Sequence, residues 1–202
     1  MKKAIVLAII GLAAGAASSY GQGAIWLDNY DSTAHPLITY GAGSGGTLGA
    51  GIADGFTVGM YVADGSITAL PDPTGTADPT TLSGSFALAS GNGSTAPSAT
   101  SAFGTAGQYA SGFSFNPGDG AGVVVTVMLV AFNGASYDAS SVRGHSQSFD
   151  MTTSVGTAFP TYTGDTETDG GFSVLTTVPE PTTLALGGLG ALSLLAFRRR
   201  KV

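Results

Sequence analysis

The stretch "GVVVTVMLVAFNGAS", residues 122–136, limits the fold of this chain more than any other. From Val123 to Phe132 it is β-branched and apolar, and the alternation of polar and apolar side chains is lost. Successive side chains of a strand point to opposite faces, so the run predicts a strand buried on both faces, or the centre of a sheet. Asn133-Gly134 closes it, and Asp64-Gly65 closes the alternating "GFTVGMYVADGS"; both dipeptides are hairpin-type turn signals. Further strands are expected at Ala24–Asp28, Pro36–Tyr40, Ser83–Ala89, Tyr109–Phe115, Gly144–Met151 and Gly171–Thr176. Short strands with turn-rich spacing imply an all-β fold, a single β-sandwich or jelly-roll-like domain over residues 22–177.

Between Gly65 and Gly118 the only charged residues are Asp72 and Asp78, in a field of Gly, Ala, Ser, Thr and Pro broken by "TLSGSFALAS". Such composition buries little apolar area and is costly in chain entropy to order, so long flexible Gly/Ser/Thr-rich loops are expected over about 65–118. A low-charge Ser/Thr-rich surface suits glycosylation or contact with polysaccharide, and equally a set of uncharged loops with no partner.

The cations are Lys2, Lys3, Arg143, Arg198, Arg199, Arg200 and Lys201, so the interior has only Arg143. Residues 22–181 hold that one base against all thirteen acids, a formal charge of 1 − 13 = −12. Nucleic acid is excluded as a partner, because phosphate binding needs several Lys or Arg. Docking of the body on an anionic membrane surface is disfavoured for the same reason. A lone cation in an acidic domain reads as a structural ion-pair partner before it reads as a ligand contact. The absence of cysteine rules out disulfides, thiolate metal sites and cysteine catalysis.

The ends carry the addresses. "MKKAIVLAIIGLAAGAASSYGQG" has two lysines, an apolar stretch and then small and polar residues, the layout of a secretory signal peptide over residues 1–21. Ser19 and Gly21 suit the positions before the cut, which makes Gln22 the first mature residue; cleavage after Ala17 is the alternative. Signal peptidase is thus an expected partner. At the other end, Thr182–Phe197 has no charge, and as a helix it would cover roughly 24 Å, short of a hydrocarbon core of roughly 30 Å. Arg198, Arg199, Arg200 and Lys201 make a cytoplasmic stop, so the domain before this transmembrane sorting helix lies outside. The apolar run reads either as a permanent anchor or as a removable tail.

The tail "VPEPTTLALGGLGALSLLAFRRRKV", residues 178–202, closely resembles the PEP-CTERM sorting signal: the tripeptide Pro179-Glu180-Pro181, a short apolar helix and a basic cluster. The resemblance implies recognition by exosortase, a membrane-embedded cysteine-dependent transpeptidase-like enzyme. It further implies an exported protein, held first at the inner membrane by its C-terminal helix and then delivered to the cell surface or extracellular matrix, in association with exopolysaccharide and biofilm. Pro179 and Pro181 each fix their own backbone and push the preceding residue to extended geometry, which displays Glu180 on a non-helical strap. The segments "QGAIWLDNY" and "GHSQSFDM" are similar to body segments of other exported proteins of this kind, and that similarity supplies no active site.

No catalytic residues are assigned, and no enzyme activity is expected. "GHSQS" only approaches the nucleophile elbow G-x-S-x-G, with Ser148 in place of the last glycine; a Ser146, His35, Asp150 triad has little support, because no helix follows to form the elbow. His35 and His145 lack zinc spacing. "DTETDG" matches the opening of a calcium loop, with Asp165, Glu167 and Asp169 as ligands, but the twelfth position is Thr176, so the choice is between a loose extracellular calcium site and a solvated acidic turn. Two functions follow: a structural or adhesive surface protein, or a glycan-binding β-sandwich module. In the second, Trp26, Tyr30, Tyr40, Tyr61 and Tyr109 are stacking platforms; in the first they are core.

Overall fold

The computed structural model describes residues 23–29, 37–98, 105–154 and 171–177. The described strands are β1 (Ile25–Asp28), β2 (Ile38–Tyr40), β3 (Thr57–Asp64), β4 (Ala87–Leu88), β5 (Thr95–Pro97), β6 (Ala110–Phe115), β7 (Val124–Phe132), β8 (Val142–His145), β9 (Phe149–Thr152) and β10 (Phe172–Thr176), with one four-residue helix, α1 (Pro79–Leu82), between β3 and β4. The fold is all-β in these residues.

The apolar run becomes β7, in the interior of the larger sheet, whose order is β2-β10-β8-β7-β3-β4, with β5 also on β3 and β9 also on β7. It pairs antiparallel with β3 over the whole of that strand, from Thr57 opposite Phe132 to Asp64 opposite Val125. Pairing is antiparallel throughout except between β10 and β2. Eight of its nine residues are buried, as a strand without alternation requires. Val125, Val127, Leu129 and Ala131 face one cluster with Val58 and Met60 of β3 and with Ile25, Leu27 and Phe115 of a separate two-stranded ribbon, β1-β6. Met128, Val130 and Phe132 face a second cluster with Tyr61, Leu82, Phe86 and Tyr137. Each large apolar side chain so buried contributes about 1.5–3 kcal/mol.

Where a sandwich was expected, the two faces are covered unequally. The ribbon lies on one, and the other is covered largely by residues of the β3–β4 connection, Ile67, Ala69, Ala77, Leu82 and Phe86, rather than by strands. The stretch 65–118 thus carries α1, β4, β5 and β6. In α1, Pro79 stands in the first turn, and Asp78 caps it by accepting from the Thr80 amide at 2.8 Å. The helix ends at the C-cap Ser83, which is extended at φ −155° and ψ 129° and donates its amide to the Pro79 carbonyl at 3.1 Å.

One turn expectation is corrected, and the other holds with a longer loop between the paired β7 and β8. Asp64-Gly65 does not form a tight hairpin: β3 leads into the long connection that returns as β4. Asn133-Gly134 opens a loop running to Ser141, closed by the Asn133 side chain, whose Oδ1 accepts from the Val142 amide at 3.1 Å. The single strand expected over Gly144–Met151 is two, β8 and β9. Val130 pairs with His145 and Val127 with Phe149, so two residues of β7 oppose three, Ser146 to Ser148. This is a β-bulge. The Ser146 amide donates to the Leu129 carbonyl at 2.9 Å, while its Oγ accepts from the Leu129 amide at 3.0 Å, a hydroxyl standing in for a ladder carbonyl.

Two further features tie β1 and β2 to the loop before β6. Asn29 is fully buried; its Nδ2 donates to the Gly107 carbonyl at 3.1 Å, and its Oδ1 accepts from the Tyr109 amide at 2.7 Å. Gly107 has φ +87°, and a Cβ there would lie 2.5 Å from the Ile38 carbonyl oxygen, so no other residue fits without displacing β2.

Candidate functional site

The bulge places His145, at the end of β8, beside a cleft of about 590 Å³ whose apolar wall includes Leu70, Leu82 and Met128, and whose polar wall includes Asp72, Ser146 and Gln147. The Asp72 and His145 side chains are each only 6% exposed, and His145 Nε2 lies 3.0 Å from Asp72 Oδ2. The two residues are 73 positions apart in sequence.

The loop "PDPTGTADP" is built around the Asp72 carboxylate. Its Oδ1 accepts from the Thr74 amide at 2.8 Å and the Thr74 hydroxyl at 2.6 Å; its Oδ2 accepts from the amides of Thr76 at 2.9 Å and Ala77 at 2.8 Å. Aspartate followed two residues on by an amide donor is an Asx-type turn, here extended to three amides. Burial raises the carboxyl pKa, but the bonds from Thr74, Ala77 and His145 outweigh it and hold Asp72 well below the usual carboxylate range.

Three contacts fasten this loop to β8. The His145 amide donates to the Gly75 carbonyl at 2.9 Å. Arg143 Nε donates to the Thr76 carbonyl at 3.0 Å, and the His145 ring meets Asp72. Arg143 also donates to the Tyr137 carbonyl at 3.0 Å, pairs with Asp138 at 3.3 Å and stacks its guanidinium over the Tyr137 ring at 4.8 Å. The lone interior cation is therefore a structural partner. Tyr61 and Tyr137 pack edge to face in the same cluster. Burial, helped by Asp78 and Asp138 and opposed by Arg143, pushes the Tyr61 phenol up to about 12.

The second ring nitrogen of His145, Nδ1, lies 2.8 Å from the Ser146 carbonyl. A carbonyl and a carboxylate are both acceptors. Each ring nitrogen thus faces a partner within the protein. The Ser146 hydroxyl donates to the Gln147 carbonyl at 2.7 Å. Asp150 accepts from Ser66 Oγ at 2.5 Å, and its Oδ1 lies 2.7 Å from Thr126 Oγ1. Ser146 adjoins His145 on the cleft, Asp150 is bonded to Ser66 and Thr126, and His35 lies outside the described residues. Among the described residues no three His, Asp or Glu side chains converge on a metal-sized site.

Asp165, Glu167 and Asp169 lie outside the described residues, as do Tyr30, Gly21 and Gln22, and Pro179, Glu180, Pro181 and Arg198 to Lys201. Among the described residues no helix is long and apolar enough to cross a membrane; the apolar run 182–197 is not among them. Of the aromatic candidates, Tyr61 and Tyr109 are core residues, whereas Trp26 and Tyr40 are partly exposed. Sequence reasoning missed Asp72 and its link to His145; the available signal was Asp72 followed by Thr74 and Thr76 between two prolines.

The last described strand is tied to β8 up to Thr177. In β10, Leu175 pairs with Arg143 and Thr176 with Val142, and the next amide, Thr177, donates to the Ser141 carbonyl at 2.8 Å. A family model described as the PEP-CTERM protein-sorting motif matches residues 177–201, beginning at Thr177. The chain carries a PEP-CTERM sorting motif. No curated protein and no solved structure matches the chain. The motif marks an exosortase-targeted exported protein, sent to the cell envelope through a membrane-anchored intermediate, and it assigns no activity to the domain before it.

Proposed function

We propose that this PEP-CTERM protein is a non-catalytic structural or adhesive component of the cell surface or extracellular matrix, associated with exopolysaccharide or biofilm after processing of its tail. The observation that carries this reading is the use of His145, Asp72 and Ser146: every polar side-chain atom of the most reactive-looking cluster is bonded within the fold, where it fastens the loop 71–78 to β8 and completes the β7 ladder. An acidic body with one interior cation, and a long Gly/Ser/Thr-rich connection, is suited to a hydrated polysaccharide environment and repels anionic lipid. The test compares matrix retention in the host with and without the chain, using a deletion complemented by wild type or by His145→Ala and Ser146→Ala. The expected result is that both variants restore retention whenever they fold; a folded variant that fails to restore it contradicts the non-catalytic reading.

The glycan-module reading rests on Trp26 and Tyr40, which retain exposed area on β1 and β2. Saturable binding on a glycan array, lost in a folded Trp26→Ala protein, would favour it over the structural role.

A further inference from the structure

The sorting motif begins at Thr177, the last of the described residues. Thr177 is the first residue of the motif and is held to the domain on its β8 side: its amide bonds to Ser141, and its hydroxyl lies 3.2 Å from the Ser141 carbonyl and 3.3 Å from that of Ser140. On the β2 side, the Thr176 hydroxyl donates to the Gly43 carbonyl. β10 itself runs between β2 and β8, so the tether leaves from inside the larger sheet and not from a free edge. Only Val178 separates Thr177 from Pro179. At 3.3–3.6 Å per residue, Pro179 stands at most roughly 7 Å from the Thr177 Cα, and Thr182 at most roughly 18 Å.

An enzyme that grips Pro179-Glu180-Pro181 must therefore come against the end of the sheet from which β10 emerges. That rim consists of the turn after β2, residues 41–50, and the β7–β8 loop, residues 133–141. It carries little charge and few large side chains. "GAGSGGTLGA" has no charge, and "NGASYDASS" has one, Asp138, which is paired with Arg143. Most of its side chains are small and exposed, and Leu48, the most exposed large apolar residue described, stands 71% open on it. The rim can thus approach both another protein and the lipid surface closely, with little charge repulsion.

We propose that this rim is the surface on which the membrane-embedded processing enzyme seats, so that the tail is processed against the folded domain and its rate depends on what residues 41–50 and 133–141 present. The proposal rests on the exosortase-targeted reading of the tail.

The test is the rate of tail loss in the native host, followed by pulse-chase and intact mass, for the full chain and four variants. Ala42→Trp and Ala139→Trp place bulk on exposed rim positions. Ala121→Trp places the same bulk at the opposite end of the β3–β7 ladder, roughly 24 Å away at about 3.4 Å per residue. The fourth variant combines Ala139→Trp with a Gly/Ser spacer of about six residues inserted after Thr177, which adds roughly 14 Å of reach. Circular dichroism of each purified precursor reports folding. The expected result is processing slowed about five-fold or more by Ala42→Trp and Ala139→Trp, unchanged by Ala121→Trp, and restored by the spacer. Processing of both rim variants at the wild-type rate overturns the proposal, and so does a slow rim variant that the spacer fails to restore. An unprocessed wild-type tail would instead count against the exosortase reading itself, so the two failures are distinguishable.

Discussion

Replacing Asp72 by alanine should be among the most damaging single changes in the described domain. The substitution leaves the part-buried amides of Thr76 and Ala77 without an acceptor, and strands His145 Nε2 with no partner on a side chain that is 6% exposed. An unsatisfied buried donor costs about 1–3 kcal/mol, more beside a charge, whereas the exposed amide and hydroxyl of Thr74 can turn to water at little cost. Allowing for some relaxation, the loss is about 3–5 kcal/mol, a large part of the 5–15 kcal/mol typical of a domain. Urea unfolding of the full chain in detergent reads it directly: with m near 2 kcal/mol/M, the midpoint falls by roughly 1.5–2.5 M while m is unchanged. The double mutant Asp72→Ala/His145→Ala should be less than additive by about 1–3 kcal/mol, since both changes break one bond. A loss below about 1 kcal/mol for Asp72→Ala would refute the reasoning, because the loop 71–78 would then be held by packing and not by the carboxylate.

Further expectations concern pH and packing. Asp72 has a folded pKa below its unfolded one, so its contribution is present above about pH 4 and is lost as pH falls from there towards the folded value; urea midpoints measured from about pH 6 to 2 should decline, and Asp72→Asn should flatten that decline. Tyr61 has a raised pKa, so its contribution is full below about pH 10 and is lost as pH climbs towards about 12; ultraviolet titration should show a late phenolate step that Tyr61→Phe removes. Met128→Ala, in the cluster beneath α1, should cost about 2–5 kcal/mol by thermal or urea unfolding. Gly107→Ala should destabilise by more than the about 1 kcal/mol of an ordinary glycine replacement, since its Cβ would meet the Ile38 carbonyl.

What could be read from the sequence was what local pattern determines. β7 announced itself by the absence of alternation and β3 by alternation closed by Asp64-Gly65, and β6 and β10 fall within strands expected at Tyr109–Phe115 and Gly171–Thr176. Charge pattern alone marked Arg143 as an ion-pair partner, which its contacts with Asp138 and Tyr137 bear out. Long-range pairing was not legible. Asp72 looked like one of two isolated acids in a loop, because its histidine lies 73 residues on and nothing in "GHSQS" names a partner. The bulge at Ser146 was hidden for a related reason: a hydroxyl that replaces a ladder carbonyl reads in sequence as one more polar strand residue. The covering of the second sheet face was also missed, since Ile67, Ala69, Leu82 and Phe86 are too widely spaced for strand or helix periodicity and act only through their contacts with β7. At the C-terminus the Pro-Glu-Pro tripeptide and its flanks were sufficient, because recognition by a processing enzyme acts on contiguous residues.

The most direct test of the central claim is mass spectrometry of the protein from its own host, mapping both termini in cell-envelope and medium fractions. Gln22 at the front and loss of everything beyond the Pro179–Pro181 region are the expected result. Finding Val202 intact in every fraction would contradict exosortase processing and would leave a permanently anchored protein in its place.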